Sequence, residues 1–186
     1  MVFQVDQYNW GGDYRPKTWG RLAFFPEKGF FIQMICEEKD PVGICREKNG
    51  RVCAETAMEA FFQFYPQEDE KQYYLNLEAN SLGTLHVKYG RGRSEREALP
   101  EELHEACSCV CEKMKDGWKM EVWVPLSVIR YVYGKADLQS GDTFKCNFYK
   151  ISEEQKPVHF GSYTKIKSKS PDFHRPEDFA WAVIEP

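Results

Sequence analysis

Residues 55–89 read ETAMEAFFQFYPQEDEKQYYLNLEANSLGTLHVKY, and their alternation of apolar and polar side chains is typical of β-strands. A period of two places successive side chains on opposite faces of a sheet. We predict three consecutive antiparallel neighbours, at 57–64, 73–80 and 84–89. The charged, proline-bearing segment 65–72 is predicted to reverse the chain between the first two.

The register follows from keeping the apolar side chains on one face. Pairing Phe62 with Leu75 aligns the apolar faces of the first two strands and places Glu59 opposite Glu78. A slip of one residue would turn every side chain to the wrong face. Gly83 supplies the left-handed residue of a three-residue turn into the third strand.

The second face of this sheet is predicted to be polar and aromatic. It carries Glu59, Phe61, Gln63, Tyr74, Asn76, Glu78, His86 and Lys88. Carboxylates directly opposite each other repel by a few tenths to about 1 kcal/mol, so we expect a cationic or hydrogen-bonding group between them. A solvated outer face is an ordinary alternative for an antiparallel sheet. The mixture of aromatics with amides and carboxylates favours a binding face.

The composition indicates one globular domain, which we expect to span residues 1–186. Hydrophobic residues make up 42% of the chain and charged residues 29%, which excludes a disordered or fibrous protein. The net charge of −4 argues against a nucleic-acid partner, because phosphate binding needs a basic face. The basic cluster at 88–96 also contains acidic residues and is interpreted as a loop.

The sequence gives no membrane signal. No apolar run approaches the length of a membrane span, and the first residues, MVFQVDQYNW, lack the pattern of a signal peptide. We therefore expect a soluble, cytoplasmic protein, or an extracellular one if a leader has been removed. A homo-oligomer is left open.

The sequence contains seven cysteines, an odd number. Their number and spacing indicate whether they are free thiols, disulfides or metal ligands. Cys107, Cys109 and Cys111 would share one side of a strand, with successive thiols about 7 Å apart. That spacing is too wide for one tetrahedral zinc ion unless the strand bends. We interpret the cysteines as small buried hydrophobic residues with free thiols in a reducing compartment, and predict no metal and no cofactor.

The rest of the chain is also dominated by strands. Further strands are predicted at 18–25, 30–37, 106–114, 118–124, 143–151 and 180–184, with short helical turns after Pro100 and Pro125. About nine or ten short strands with almost no helical periodicity indicate an all-β fold, an antiparallel β-sandwich or jelly roll.

Five phrases of the sequence carry a family resemblance. They are ETAMEAFFQFYP, YYLNLEANSLGTL, WKMEVWVPLSVI, CNFYKI and SPDFHRPEDF. Together they resemble the carbohydrate-binding module family 9-like domains, which belong with the DOMON-like β-sandwiches of jelly-roll or immunoglobulin-like form. The resemblance implies a ligand cleft on one sheet, no catalytic activity, and a sugar held between two tryptophans and nearby polar side chains, with calcium bound elsewhere. This chain has Val52-Cys53 and Gly161-Ser162-Tyr163 where those tryptophans are expected, and no acidic cluster has calcium-loop spacing.

Three functions are weighed. The leading hypothesis is a non-catalytic module that binds a saccharide, because amides and carboxylates suit hydroxyl groups and aromatic rings stack on sugar rings. A glycosidase would use Glu59 and Glu78, since cross-strand neighbours lie near the short separation of a retaining mechanism. A haem or redox domain, as found among DOMON-like relatives, would use Met34 and His86 as axial ligands.

The saccharide hypothesis names specific residues. Glu59, Asn76 and Glu78 are predicted to bind hydroxyl groups, with His86 and Arg21 offsetting the two carboxylates. Phe61, Tyr149 or Tyr163 is predicted to offer the aromatic surface. The full set of predicted ligand-binding residues is Trp19, Arg21, Glu59, Phe61, Asn76, Glu78, His86, Asn147, Tyr149, Tyr163 and His174.

Overall fold

The computed structural model describes residues 1–68 and 72–185. Within them lie thirteen strands, two α-helices and two short 3-10 helices. The strands are β1 (Val2–Val5), β2 (Gln7–Gly11), β3 (Thr18–Phe25), β4 (Gly29–Cys36), β5 (Ala57–Gln63), β6 (Tyr74–Asn80), β7 (Leu85–Gly90), β8 (Arg96–Ala98), β9 (Val110–Met114), β10 (Gly117–Pro125), β11 (Thr143–Ser152), β12 (His159–Ser162) and β13 (Ala180–Val183). The α-helices are α1 (Glu101–Ala106) and α2 (Leu126–Tyr133), and the 3-10 helices are Val52–Ala54 and Pro176–Asp178.

The strands form two antiparallel sheets. The five-stranded sheet has the order β1-β3-β4-β10-β9. The eight-stranded sheet has the order β2-β12-β11-β5-β6-β7-β8, with β13 also pairing with β11. The predicted all-β antiparallel sandwich with short helices is confirmed.

The register predicted around the two carboxylates is confirmed. Phe62 pairs with Leu75, and Glu59 lies opposite Glu78. His86 is the next neighbour of Glu78, on β7. Gly83 has φ 81°, the left-handed conformation that the turn into β7 requires. Of the predicted reversing loop, residues 69–71 lie outside the described part of the chain.

The segment that ends in β9 differs from the prediction of one strand over 106–114. Helix α1 occupies 101–106, and the N–H of Cys107 bonds to His104 O at the end of that helix. Ser108 then adopts φ 38°, and pairing begins only at Val110. The predicted row of three cysteines on one strand face is therefore wrong. The helical turns predicted after Pro100 and Pro125 are confirmed as α1 and α2.

The main core lies between the two sheets. Phe30 of β4 packs across the sandwich against Phe64 and Phe144, with ring centroids 4.9 and 5.1 Å apart. Phe3 stacks on Phe148 from the other sheet at 3.6 Å. Each such fully buried side chain stabilises the fold by about 1.5–3 kcal/mol relative to leaving it exposed.

The outer face of the eight-stranded sheet is also buried, so the alternative of a solvated outer face is wrong. Two irregular segments, 42–55 and 164–179, cover it. They bring Val52, Ile166, Phe173 and Phe179 onto strand residues Phe61, Tyr74 and Tyr149, and together these form a second apolar cluster. This cover turns the polar face into the wall of a pocket.

Neither helix of the described chain has the length and the apolar run needed to cross a bilayer. All seven cysteines have free thiols in the structure, and Cys36, Cys107 and Cys146 are buried.

Candidate functional site

A pocket of about 290 Å³ opens where the two covering segments leave part of the polar face uncovered. Its floor comes from strands β5, β6 and β7. We define this pocket floor as Glu59, Glu78, His86 and Lys88. The walls are Arg51, Cys53, Arg93, Arg96, Ile151, Glu153, Phe160, Pro171, Asp172, Phe173 and His174.

Glu59 lies at the bottom of this pocket. It is only 2% exposed, and its carboxyl group has no hydrogen bond to any of the described residues. Burial and the neighbouring Glu78 raise the pKa of Glu59 well above its ordinary value. A carboxyl group held this way can accept or donate a hydrogen bond, and it lacks a partner within the described chain.

Glu78 differs because side chains already contact it. Asn76 Nδ2 donates a hydrogen bond of 2.8 Å to Glu78 Oε1, and Arg96 NH1 lies 3.9 Å from the same oxygen. Burial raises the pKa of Glu78, while His86, Arg96 and the bond from Asn76 oppose that rise. Arg96 therefore takes the charge-offsetting place that the sequence analysis assigned to Arg21.

His86 has a fixed orientation. Its Nδ1 lies 2.9 Å from Asn49 O and 3.1 Å from Gly50 O. Since both partners are carbonyl oxygens, which only accept, Nδ1 carries the proton and donates. His86 Nε2 is buried without a hydrogen-bond partner among the described residues, and the side chain lines the pocket. Lys88, the next floor residue on β7, is half-buried and has no hydrogen bond or ion pair to the described residues.

The apolar wall is held by the 164–179 segment. Phe173 stacks on Tyr149 at 4.1 Å, and Tyr149 OH donates to Phe173 O at 3.2 Å. His174 Nδ1 pairs with Tyr74 OH at 2.9 Å, and its ring stacks on Phe61 at 5.1 Å. Burial lowers the pKa of His174 to about 2, so its ring is neutral.

The structure brings some of the predicted site residues together. Glu59, Glu78, His86 and His174 line the pocket. A second group lies on the same face but is fully buried behind the lining: Phe61, Asn76, Asn147 and Tyr149. In this group, Asn147 Oδ1 accepts from the N–H of Thr164 at 3.0 Å and so fixes the start of the covering segment.

Three predicted residues lie elsewhere. Trp19 and Arg21, both predicted to bind the ligand, are on β3 in the five-stranded sheet, so the structure does not bring them to the pocket. Tyr163 packs against Phe3 and Phe148 in the core between the sheets, with centroids 5.9 and 6.1 Å away. The alternation of a strand defines which side chains share a face, but it does not define which sheet the strand joins.

The haem alternative also fails on geometry. Met34 is fully buried in the core between the sheets, whereas His86 faces the pocket on the outer side of the eight-stranded sheet. The eight-stranded sheet therefore separates the two side chains, so they cannot ligate one iron.

Sequence reasoning missed most of the walls. The basic cluster at 88–96, which the sequence predicts as a loop, supplies Arg93 and Arg96 to the pocket. Arg93 NH1 bonds to Asp172 Oδ1 at 3.1 Å and so joins the β7–β8 turn to the covering segment. The signal available in the sequence was that Arg96 follows closely after the alternating residues His86 and Lys88 of the polar face.

The family model for carbohydrate-binding family 9 matches residues 1–183. The chain belongs to carbohydrate-binding family 9. The match covers nearly the whole chain, and it confirms the resemblance carried by the five sequence phrases. No curated protein matches this member of the family.

Solved structures agree with this family 9 assignment at the level of the fold. A protein from Bacteroides uniformis ATCC 8492, to which carbohydrate binding is ascribed, is 23% identical, with a TM-score of 0.85 over 100% of this chain and 86% of that one. A family 9 module from Caldicellulosiruptor kristjanssonii in complex with cellotriose is 8% identical, with a TM-score of 0.67 over 100% of this chain and 82% of that one. The same organism's module in complex with glucose is also 8% identical, with a TM-score of 0.66 over 97% and 82%.

Proposed function

We propose that this chain is a single non-catalytic carbohydrate-binding module and that its saccharide binds in the pocket above Glu59 and Glu78. Family membership and the sugar complexes of the Caldicellulosiruptor module support the ligand class. The observation that carries the proposal is the set of unpartnered groups on the pocket floor. Within the described chain, His86 Nε2 is buried without a hydrogen-bond partner, which is unusual for a buried polar atom. Glu59 and the half-buried Lys88 line the same pocket without a hydrogen bond to the described residues.

A saccharide offers the bonds that these groups lack. Its hydroxyl groups can donate to the Glu59 carboxyl and to His86 Nε2, and its oxygens can accept from Lys88. Phe160 and Phe173 provide apolar surface for the C–H face of a sugar ring. The pocket volume of about 290 Å³ lies just below the range of about 300–1,000 Å³ for small-molecule sites, which favours a short saccharide.

The proposal includes a reducing, cytoplasmic setting and no nucleic-acid or membrane partner. Its support is the net charge of −4 and the seven free thiols. Thiol titration of the protein purified without reductant and then denatured should give about seven reactive groups per chain. A value near five or lower would argue for a disulfide and against this setting.

The experiment is calorimetric titration with glucose and cellotriose. We expect Glu59→Gln to lower the affinity by about 1–2 kcal/mol, the scale of one lost buried hydrogen bond. Glu121→Gln is the matched control, because Glu121 lies on β10 of the other sheet and bonds to Gln33 at 2.7 Å. Equal losses in both variants, or no loss in Glu59→Gln, would remove the pocket as the site.

The glycosidase alternative keeps one observation in its favour, the placement of Glu59 directly opposite Glu78. The protein samples used for the titration also test for glycosidase activity. Incubated with wild-type protein, cellotriose is expected to remain intact in chromatographic analysis. Release of shorter sugars that stops in Glu59→Gln would overturn the non-catalytic assignment.

A further inference from the structure

The charges around the pocket are unevenly distributed. The β7–β8 side contributes three cations, Lys88, Arg93 and Arg96. Of these, Arg93 lies 3.1 Å from Asp172, and Arg96 lies 3.9 Å from the buried Glu78. Within the described chain, Lys88 is therefore the cation on this side that has no acidic partner.

On the opposite wall of the pocket, the positive charge is offset by carboxylates. Arg51 NH2 lies 3.2 Å from Glu153 Oε2 and 2.8 Å from Glu154 Oε1, so this cation is already paired with two carboxylates. The pocket is consequently polarised, with its positive end at the β7–β8 side. Such polarisation selects for a ligand of complementary charge and fixes its orientation.

Lys88 is the clearest sign of a missing anion. It lies beside Asn76 across the strands, lines the pocket, and has no hydrogen bond or ion pair to the described residues. An ammonium group that faces a partly enclosed space loses hydration, and a ligand anion placed against it would offset that loss.

Arg96 adds a rigid donor next to Lys88. Its Nε donates to Arg93 O at 3.1 Å and its NH1 to Asn76 Oδ1 at 2.9 Å, while the side chain is only 14% exposed. Among the described residues, these two bonds leave NH2 without a protein partner, and they fix the plane of the guanidinium group. A guanidinium fixed in this way suits the planar geometry of a carboxylate.

We propose that the saccharide is acidic, and that its carboxylate or sulfate group lies against Lys88 and Arg96. This inference rests on the proposed function, because it names the chemical class of the sugar bound at the same site. The floor carboxyls do not oppose it strongly. Burial raises the pKa of both Glu59 and Glu78, which lowers the negative charge that the ligand meets. Glu78 is already bonded by Asn76.

The experiment compares four sugars by calorimetry at neutral pH and low ionic strength. The sugars are glucuronic acid, glucose 6-sulfate, glucose and glucosamine. We expect at least one of the two acidic sugars to bind about tenfold or more tightly than glucose, a difference of about 1.4 kcal/mol. Preference for glucuronic acid over the sulfate ester identifies a carboxylate, and the reverse order identifies a sulfate.

Variants and salt locate the anion. Lys88→Gln should reduce the preference for the acidic sugar over glucose from about tenfold to about threefold or less. Lys113→Gln is the matched control, since Lys113 is 70% exposed on β9 of the other sheet, and it should keep the preference. In the wild type the preference should shrink as salt rises to about 0.5 M, because partly exposed charges are screened. This salt readout holds even if Lys88→Gln folds poorly.

The outcomes separate this inference from the proposed function. If glucose binds and the acidic sugars bind no tighter, the inference fails while the saccharide site stands. If glucosamine binds most tightly, the floor carboxyls dominate and the inference is overturned. If none of the four sugars binds, the proposed function falls and the inference falls with it.

Discussion

Two buried polar clusters lie on opposite faces of the eight-stranded sheet, and they differ in how completely their groups are bonded. On the inner face, Lys150 is 0% exposed, and its Nζ lies 2.7 Å from His159 Nε2, 3.2 Å from Glu38 Oε2 and 3.3 Å from Ile151 O. An ammonium group has three protons, and here it meets three acceptors. Glu38 Oε2 also accepts from Trp118 Nε1 at 3.1 Å. We call this set the lysine cluster.

The pocket floor on the outer face is almost as deeply buried but is not satisfied. Glu59 is 2% exposed, and neither its carboxyl group nor His86 Nε2 has a hydrogen-bond partner in the described part of the chain. Burial therefore does not distinguish the two clusters. The lysine cluster fixes how the sheets and β12 join, whereas the pocket floor keeps bonding capacity for a ligand at some cost in stability.

The largest expected effect comes from breaking the satisfied cluster. Lys150→Met leaves the buried carboxylate of Glu38 without its cation, so the free energy of unfolding should fall by about 3–5 kcal/mol. Denaturant unfolding followed by tryptophan fluorescence measures it. The double variant Lys150→Met/Glu38→Gln should recover part of the loss. A single variant that loses less than about 1 kcal/mol would show that the cluster is not stabilised by the ion pair.

The second effect concerns how stability depends on pH, because His159 and Glu59 contribute to this dependence with opposite signs. The pKa of His159 is lowered to about 4 by burial and by Lys150, while that of Glu59 is raised. Between about pH 6.5 and 4 the unfolded chain binds a proton that folded His159 does not, so this residue makes stability fall on acidification, on the order of 2 kcal/mol. For Glu59 the folded state binds the additional proton. Lowering the pH from neutral toward the ordinary pKa of a glutamate therefore adds stability through this residue.

The pH comparison uses unfolding free energies at pH 7 and pH 4.5. Relative to wild type, His159→Gln should lose less stability on acidification, and Glu59→Gln should lose more. The comparison between variants is needed because His174 also has a lowered pKa and contributes in the direction of His159. Shifts of the same sign in both variants would contradict the assignment.

A smaller effect is expected from the second floor carboxyl. Glu78→Gln keeps the shape; it removes the repulsion with Glu59 but also the charge that faces Arg96, so stability should change by less than about 1 kcal/mol, while saccharide affinity should fall by about 1–2 kcal/mol. Thermal melting with and without sugar measures both quantities on one sample. If the pair served only structure, the variant would instead melt at a lower temperature and bind the sugar as well as wild type.

The smallest effect is expected at the rim. Arg93 and Asp172 form an ion pair in which the side chains are 55% and 28% exposed, and exposed pairs contribute about 0–1 kcal/mol. Arg93→Gln should therefore change the unfolding free energy by less than about 1 kcal/mol. Lys17→Gln, which breaks the exposed pair between Lys17 and Glu37 next to the ends of β3 and β4, is the control for a pair away from the pocket. A loss of several kcal/mol for Arg93→Gln would place this pair among the satisfied, structural contacts.

The amino-acid sequence by itself determined the register of β5, β6 and β7 and the membership of the pocket floor. Glu59, Glu78, His86 and Lys88 share one face because side-chain alternation along neighbouring strands is local, and a slip of one residue would bury the polar set in the core. The same local logic gave the helical turns after Pro100 and Pro125. It failed at Cys107, where a short helix with a tertiary contact of His104 to Leu85 replaced the expected strand.

Only the tertiary structure decided which sheet each strand joins and what covers the polar face. Alternation could not separate Arg21, on the five-stranded sheet, from Arg96, which reaches the pocket. The cover over the polar face depends on bonds between distant residues, such as Tyr74 with His174, one hundred positions apart. Such contacts form only after loop closure has brought the segments together, and their energies depend on packing that no local pattern encodes.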